Sequence, residues 1–521
     1  MADIIISKRN ESYLDIDCET GIFYELREHF TFEVPNARFT PKFRAGLWDG
    51  KICLLDMRFG TLPLGLTPEL LEVSEKLGYT VEVKETQYGV PNEKDDVTYQ
   101  DVEKWIIGLN LSNKNNELNP IKIEVRDYQI QTIFNCIKNR RQIVISSTGS
   151  GKSLIIYCLI RWYLEHGGNR VLLVVPNLGL IRQMKSDFAD YSILNGFDVD
   201  SNLQVIAEGA SKVLIKPIQL ATWQGIYKLP SSWYSGIDNS GIDNSGANSG
   251  NGIDIIIGDE CHQYKAEACR NIFDRSTETK YKFGFTGTLD KSTVNKLLLK
   301  GLIGDISKVN TTRDLIEAGH LSDIKIKCIL LKYDKDVKKL TRGLDYQREI
   351  DFLCQNDRRN KFIRNLALSL KGNTLILFGR VETHGEIIYG LIKEKATTHR
   401  VHFIAGKVDA DDRENIRNLV QNSDEHNIIV GSFGTVSTGL NIPRIHNIIF
   451  AAPSKSVIRV LQSIGRGLRK SSDKSHLVLY DIVDVLGSNS KPNYTMKHWV
   501  ERLKIYTDEE FSYKIVEHEF K

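Results

Sequence analysis

Between residues 121 and about 305, short apolar runs alternate with stretches of helical period. The run "RQIVIS" (141–146) leads into "GKSLIIYCLIRWYLEHG" (151–167), and "RVLLVVP" (170–176) leads into "NLGLIRQMKSDFADY" (177–191). Then come "IDIIIGDE" (253–260) and "YKFGFTGT" (281–288). Fully apolar strands of five or six residues, separated by amphipathic helices, predict a parallel sheet covered on both faces. The rhythm restarts with "NTLILFG" (373–379), "RVHFIAG" (400–406), "HNIIVGS" (426–432), "HNIIFAA" (446–452) and "SHLVLYD" (475–481). Two α/β units in tandem follow from this repetition.

The flanks read differently. Residues 1–110 mix short strand-like runs with polar turns and predict a small mixed α/β domain, and "LSNKNNELNP" (111–120) reads as a linker. The tail 494–520 has amphipathic helical spacing and is expected to pack back onto the two-unit motor rather than bind a partner. Inside the first unit, "SGIDNSGIDNSGANSGNG" (235–252) carries a direct repeat. It has too little apolar surface to offset its ordering entropy and is expected to be a tolerated surface loop. The expected divisions are 1–110, 118–320 with the insertion 235–252, 321–490, and a helical extension 491–521.

Composition narrows the class. At 521 residues the chain exceeds one core, and 41% hydrophobic with 26% charged residues is a soluble balance. No apolar run reaches a membrane span, and "MADIIISKRN" lacks the pattern of a secretory signal. Eight cysteines without a CxxC pair argue against a zinc site or disulfide framework and suit a reducing cytoplasm. Residues 1–110 hold 12 basic and 20 acidic side chains, so the rest of this +3 chain carries a net +11, a weak pointer to a polyanion.

The chemistry begins at "SSTGSGKS" (146–153), a glycine-rich turn between a strand and a helix. Backbone N–H groups of Ser147, Thr148, Gly149, Ser150 and Gly151 would surround phosphates, with Lys152 reaching the β- and γ-phosphates and Ser153 ligating Mg²⁺. Ser146 stands where the usual pattern has glycine, which leaves the loop ambiguous by itself. The second element is "IIIGDECH" (255–262), an apolar strand ending in two carboxylates at the crevice side of the sheet. Asp259 would hold Mg²⁺, partly through water, and Glu260 would orient and deprotonate the attacking water. Together they read as ATP hydrolysis rather than binding alone.

With these residues in place, the chain resembles the superfamily 2 helicases. "VRDYQIQTI" (125–133) is similar to their adenine-reading segment, which implies Gln129 as the base contact with Arg126 or Tyr128 beside it in the ATP site. "DECH" is of the DExH type, with His262 in a coupling role, and "FTGT" resembles the coupling motif carrying Thr286 and Thr288. "IIVGSFGTVSTGLNIP" (428–443) resembles the motif shared between nucleic acid (Ser432, Thr435) and nucleotide cleft (Thr438, Gly439, Asn441). "LQSIGRGLRK" (461–470) resembles the arginine-finger motif, with Gln462 coupling and Arg466 and Arg469, three apart on one helix face, stabilising γ-phosphate charge. The resemblance implies two tandem RecA-like parallel-sheet domains and ATP and Mg²⁺ as cofactors.

"FRAGLWDGKICLLD" (43–56), "DECH", "GTVSTGL" and "LQSIGRGLRK" bring the chain nearer to the UvsW-type helicases of T-even bacteriophages. That likeness implies an ATP-driven DNA helicase of the host-cell cytoplasm in phage replication, recombination and repair. Its tracks would be junctions, stalled forks and RNA–DNA hybrids, with replication or recombination proteins as partners. Phosphate contacts are expected from Pro176, Thr222, Gln224, Arg380 and His384. His384 could instead cap a helix, and Trp223 could stack on a base or fill the core. In the amino-terminal domain, "RFTPKFRAGLWDGKICLLDMR" (38–58) places Arg38 and Arg44 among Phe39, Phe43 and Trp48, either a DNA contact or local packing. Alternatives are a double-strand translocase subunit, an RNA–DNA helicase without branch migration, a small-molecule kinase, and a binding protein without catalysis. The kinase leaves the second α/β unit unexplained, and the pure binder leaves the catalytic set unexplained.

Overall fold

The computed structural model describes residues 2–34, 37–114, 120–147, 149–236, 252–261, 266–287, 293–406, 416, 419–420, 426–437, 444–452, 464–465, 468, 476–487 and 491–520. The chain divides into two compact units, one of residues 1–146 and 151–309, the other of 147–150 and 310–521. Among the described residues no helix is long and apolar enough to cross a membrane.

The first unit is built on a seven-stranded sheet. Its order is Leu203–Ile206, Ile218–Thr222, Val171–Val175, Ile255–Asp259, Tyr281–Thr286, Arg141–Ser146 and Asp305–Asn310. The pairings from Leu203–Ile206 across to Arg141–Ser146 are parallel. Strands Val171–Val175 and Ile255–Asp259 are buried at every position, which is why they lack polar alternation. Helix Lys152–Glu165 is buried from Leu154 to Tyr163, apolar nearly all round because it is covered on more than one side. Because neighbouring strands run the same way, Ser146, Asp259 and Thr286 all end at one edge of the sheet, where ligands bind in such folds.

The amino-terminal module has a four-stranded mixed sheet, ordered Thr61–Pro63, Tyr13–Cys18, Ile4–Lys8 and Val81–Lys84. Helix Tyr99–Gly108, expected within this module, instead shares the first sheet's core, where Val102 and Ile106 pack in one cluster with Ile130, Ile133 and Leu154. Its Thr98–Asp101 capping box starts it cleanly, and its apolar face has helix Asp127–Asn139 to cover it.

The module is joined to the sheet by buried polar contacts. Lys282, fully buried, donates to Ser12 Oγ at 2.8 Å and to the Phe273 carbonyl at 3.0 Å. Arg141 donates to the carbonyls of Glu11 (2.6 Å), Ile303 (3.1 Å) and Leu302 (3.0 Å). A Cβ on Gly65 would collide with the Lys300 carbonyl, so only glycine lets these backbones meet. Burial holds the Lys282 amine well below the usual lysine range.

The repeat at 235–252 lies mostly outside the described residues, but its ends are adjacent. Ile253 N donates to the Tyr234 carbonyl at 2.8 Å. The chain therefore leaves and re-enters the first unit at one point.

The second unit repeats the plan. Its seven strands are ordered His399–Ile404, His426–Ser432, Thr374–Phe378, Asn447–Phe450, His476–Val485, Asp323–Lys332 and Tyr513–Glu519, all parallel. The tail departs from the all-helical expectation. Helix Tyr494–Asp508 is followed by the exposed strand Tyr513–Glu519, which adds to Asp323–Lys332 as the sheet's edge. The helix is pinned to the sheet by buried Arg502, which donates to both Asp481 oxygens at 2.9 and 2.8 Å, and by Tyr506 Oη, which donates to Asp481 at 2.9 Å.

Candidate nucleotide and nucleic-acid sites

The ambiguity at Ser146 has a structural answer. Ser146 is the last residue of strand Arg141–Ser146 and is not among the residues of positive φ, so no glycine is needed there. The left-handed positions are Gly149 (φ +89°) and Gly151 (φ +84°). A Cβ on Gly151 would collide with Gln129 Nε2, so Gln129 and the loop are in direct apposition. Gln129 is buried, and its Oε1 accepts from Arg126 N at 3.0 Å, while Arg126 Nη1 donates to Tyr128 Oη at 2.7 Å.

Lys152 opens the helix after the loop, and its Nζ donates to the Ser146 carbonyl at 3.1 Å. The same amine stands 3.9 Å from Glu260 Oε1. Asp259 is buried; burial first, and then the adjacent Glu260 carboxylate, push its carboxyl up to about 7, against the pull of Lys152. Glu260 has φ +48°, a left-handed conformation that a non-glycine residue adopts at a cost, and it turns the second carboxylate away from the strand toward the lysine.

The donor set fits a magnesium nucleotide. Ser153 and Asp259 offer the hard oxygens that Mg²⁺ takes, and Lys152 with the helix N-terminus offers positive charge to phosphates. Ser147 Oγ is buried without a hydrogen bond among the described residues, a polar atom in the loop that a phosphate would satisfy.

One residue of this site escaped sequence reasoning. Tyr191, at the end of helix Leu178–Ser192, has its hydroxyl 2.9 Å from Ser153 Oγ. Only the wrap of the α/β unit brings these two together, and no local motif marks it.

Among the residues expected to contact nucleic acid, Gln224 Nε2 donates to the Pro176 carbonyl at 3.3 Å, because Val175 and Thr222 are register partners on adjacent strands. Gln224 is exposed, whereas Thr222, expected as a phosphate contact, is buried at the end of its strand. Trp223 packs against the core as a half-buried side chain. In the second unit Ser432 Oγ donates to Thr435 Oγ1 at 2.8 Å and accepts from Thr435 N at 3.1 Å. Arg380 is half-buried and ion-paired with Asp351. Arg38 and Arg44 are exposed.

His384 is a correction. It is 1% exposed, with Nε2 3.4 Å from Arg359 Nη1. Arg359 is itself fully buried, donating to Asp484 at 2.9 Å and to the Ala451 carbonyl at 2.6 Å, while Tyr333 Oη donates to Asp484 at 2.8 Å. Burial and the Arg359 and Arg380 guanidinium groups push the imidazole down to about 3. A neutral, enclosed ring has no face for a phosphate. Thr148, His262, Thr288, Thr438, Gly439, Asn441, Gln462, Arg466 and Arg469 lie outside the described residues.

Three families match: the type III restriction enzyme res subunit over residues 122–291, the UvsW DNA helicase amino-terminal domain over 3–84, and the helicase conserved C-terminal domain over 358–471. The chain is 33% identical to the ATP-dependent DNA helicase uvsW of Enterobacteria phage T4 across 98% of both chains. The crystal structure of T4 UvsW aligns over 99% of each chain with a TM-score of 0.51 and 31% identity. A DNA 3′-5′ translocase, XPB2 of Sulfurisphaera tokodaii, is 24% identical over 73% of this chain and 88% of its own. The type ISP restriction-modification enzyme LlaBIII bound to DNA shares the fold, with a TM-score of 0.57 at 14% identity over 78% of this chain and 32% of its own. With the ATP-site geometry and a relative similar from end to end, the chain belongs to the UvsW family of ATP-dependent DNA helicases.

Proposed function

We propose that this helicase acts on branched DNA in the host-cell cytoplasm, migrating junctions, regressing stalled forks and unwinding RNA–DNA hybrids during phage replication and recombination. The observation that carries the reading is the joint between the amino-terminal module and the first sheet. Lys282 and Arg141 tie Ser12 and Glu11 to the motor through buried hydrogen bonds. A module fastened in this way moves with its motor domain and can hold one arm of a branch while the motor advances on another.

In this reading Ser153 and Asp259 would hold Mg²⁺, which would supply positive charge to the phosphates. Lys152 binds the β- and γ-phosphates, and Glu260 orients the attacking water and takes its proton. Gln129 and Arg126 read the adenine, and Arg466 and Arg469 are assigned to γ-phosphate charge by their motif. Gln224, Ser432, Thr435 and Arg380 are the side chains assigned to phosphates of the strand; Pro176, which has no N–H, and buried Thr222 offer no side-chain donor.

The test is ATP turnover at fixed salt with single strand, linear duplex, four-way junction, fork and RNA–DNA hybrid. Stimulation by junction and fork well above linear duplex is expected. A second reading, translocation along unbranched duplex, draws on the match of residues 122–291 to a restriction subunit. It predicts equal stimulation by duplex and junction.

A further inference from the structure

Between residues 31 and 53 the amino-terminal module sends out a knob. Strands Thr31–Glu33 and Lys51–Cys53 pair antiparallel at its base, and residues 37–50 fold over them as a 3₁₀ turn, Ala37–Phe39, and a short helix, Pro41–Arg44. Its outer surface is apolar: Leu47 is 80% exposed, Phe39 58% and Phe43 37%. A single exposed hydrophobic residue is ordinary. Three within nine residues, surrounded by exposed Arg38, Lys42, Arg44 and Lys51, are not. None of these four cations has an ion pair among the described residues; of the knob's two carboxylates, Asp49 accepts from the Lys51 backbone at 3.0 Å and exposed Glu33 is the register partner of Lys51 across the base.

The display is held in shape rather than left loose. Val34 N donates to the Gly50 carbonyl at 2.8 Å, Leu47 N to the Lys42 carbonyl at 3.0 Å, and Trp48 Nε1 to the Lys51 carbonyl at 2.7 Å. Gly50 (φ +80°) lies under the Phe43 ring, where a Cβ would come within 3.1 Å. The Arg38 guanidinium covers one side of Phe39 at 5.2 Å.

Exposed cations suit phosphates, and exposed flat or branched apolar groups suit base faces. In continuous duplex those faces are hidden by stacking; they are open where strands part. We infer that the knob seats on the branch point itself, with Leu47 and Phe39 against unstacked bases and Arg38, Lys42, Arg44 and Lys51 on the flanking phosphates. This rests on the branched-DNA reading above and specifies where that selectivity comes from.

The test uses the full chain and a four-way junction with 2-aminopurine at the crossover. The apolar variant is Phe39→Ser with Leu47→Ser; the cationic variant is Arg38→Ala with Arg44→Ala. Both change exposed side chains, and thermal melting checks the fold. In the apolar variant junction affinity should fall at least tenfold toward that for linear duplex, and the 2-aminopurine response should disappear. Its salt slope and its ATP turnover on single strand should stay unchanged. The cationic variant should instead lose salt slope on every DNA. Wild-type junction affinity and signal in the apolar variant would overturn the inference, as would a change of oligomeric state in place of a change in DNA binding. A wild-type protein that does not prefer junctions would remove the branched-DNA reading itself.

Discussion

Tyr191 and Ser153 share a hydrogen bond of 2.9 Å between hydroxyls on different helices of the first unit. When a serine oxygen faces a cation its proton must point elsewhere, and the Tyr191 oxygen stands where it can accept. If Ser153 holds Mg²⁺ as proposed, the tyrosine is a positioning residue for it. Tyr191→Phe should raise the Mg²⁺ concentration for half-maximal turnover by about two- to tenfold, the worth of one hydrogen bond. Nucleotide affinity without Mg²⁺ and the melting temperature should not move. An unshifted Mg²⁺ dependence of both turnover and ADP binding would make the contact merely structural.

Glu260 combines a left-handed backbone with a carboxylate 3.9 Å from the P-loop lysine. Glu260→Gln keeps the shape and removes the carboxylate proposed as the base. Turnover should fall by about 10²–10⁴-fold while ATP affinity changes only a few-fold. Pre-steady-state hydrolysis with a bound fluorescent nucleotide separates the two, and near-normal turnover would take Glu260 out of the chemistry.

The repeat insertion begins and ends at adjacent residues, as the 2.8 Å bond from Ile253 N to the Tyr234 carbonyl records. Loop closure depends weakly on length, about 0.6 kcal/mol per doubling. Deleting 237–251 should leave the melting temperature and basal ATP turnover close to wild type. A large loss of either would show that the segment packs against the unit.

In the second unit the pair Arg502–Asp481 is buried on both sides. Arg502→Met should destabilise that unit by about 3–5 kcal/mol, because a buried carboxylate loses its cation and keeps only the Tyr506 hydroxyl. Adding Asp481→Leu should recover much of the loss. Differential scanning calorimetry on the two variants measures both effects, and equal stability of single and double variants would contradict the pairing argument.

The sheets were legible because buried parallel strands such as Val171–Val175 must be apolar at every position, and the P-loop was legible because its φ angles demand glycine at 149 and 151. Contacts made across sequence distance were not. Nothing near Tyr191 announces Ser153, and Lys282 reads as a surface lysine until Ser12 is folded against it. A boundary drawn at 110, before the polar run, leaves helix Tyr99–Gly108 with the amino-terminal module; an apolar face does not name what covers it, and the first sheet's core claims this one. In the tail, alternation in Tyr513–Glu519 was too exposed to register as a strand; its partner Asp323–Lys332 supplies the hydrogen bonds that burial did not suggest.

His384 illustrates the same limit and gives a pH-dependent test. Its position beside Arg380 suggested a phosphate contact, yet its ring sits inside the second unit against Arg359 with a pKa pushed down to about 3. In the unfolded chain the imidazole titrates near 6.5, so below that pH the unfolded state binds a proton that the folded state refuses. The associated stability is fully present above pH 6.5 and is lost as pH falls toward 3. His384→Gln, which keeps an acceptor for Arg359 but does not titrate, should melt with a flatter pH dependence between pH 6.5 and 4. Above pH 7 its offset from wild type should be constant. At pH 7.5 its DNA affinity and salt slope should equal those of wild type. Parallel melting curves would contradict the buried neutral imidazole, and a salt slope reduced by one contact would return His384 to the track.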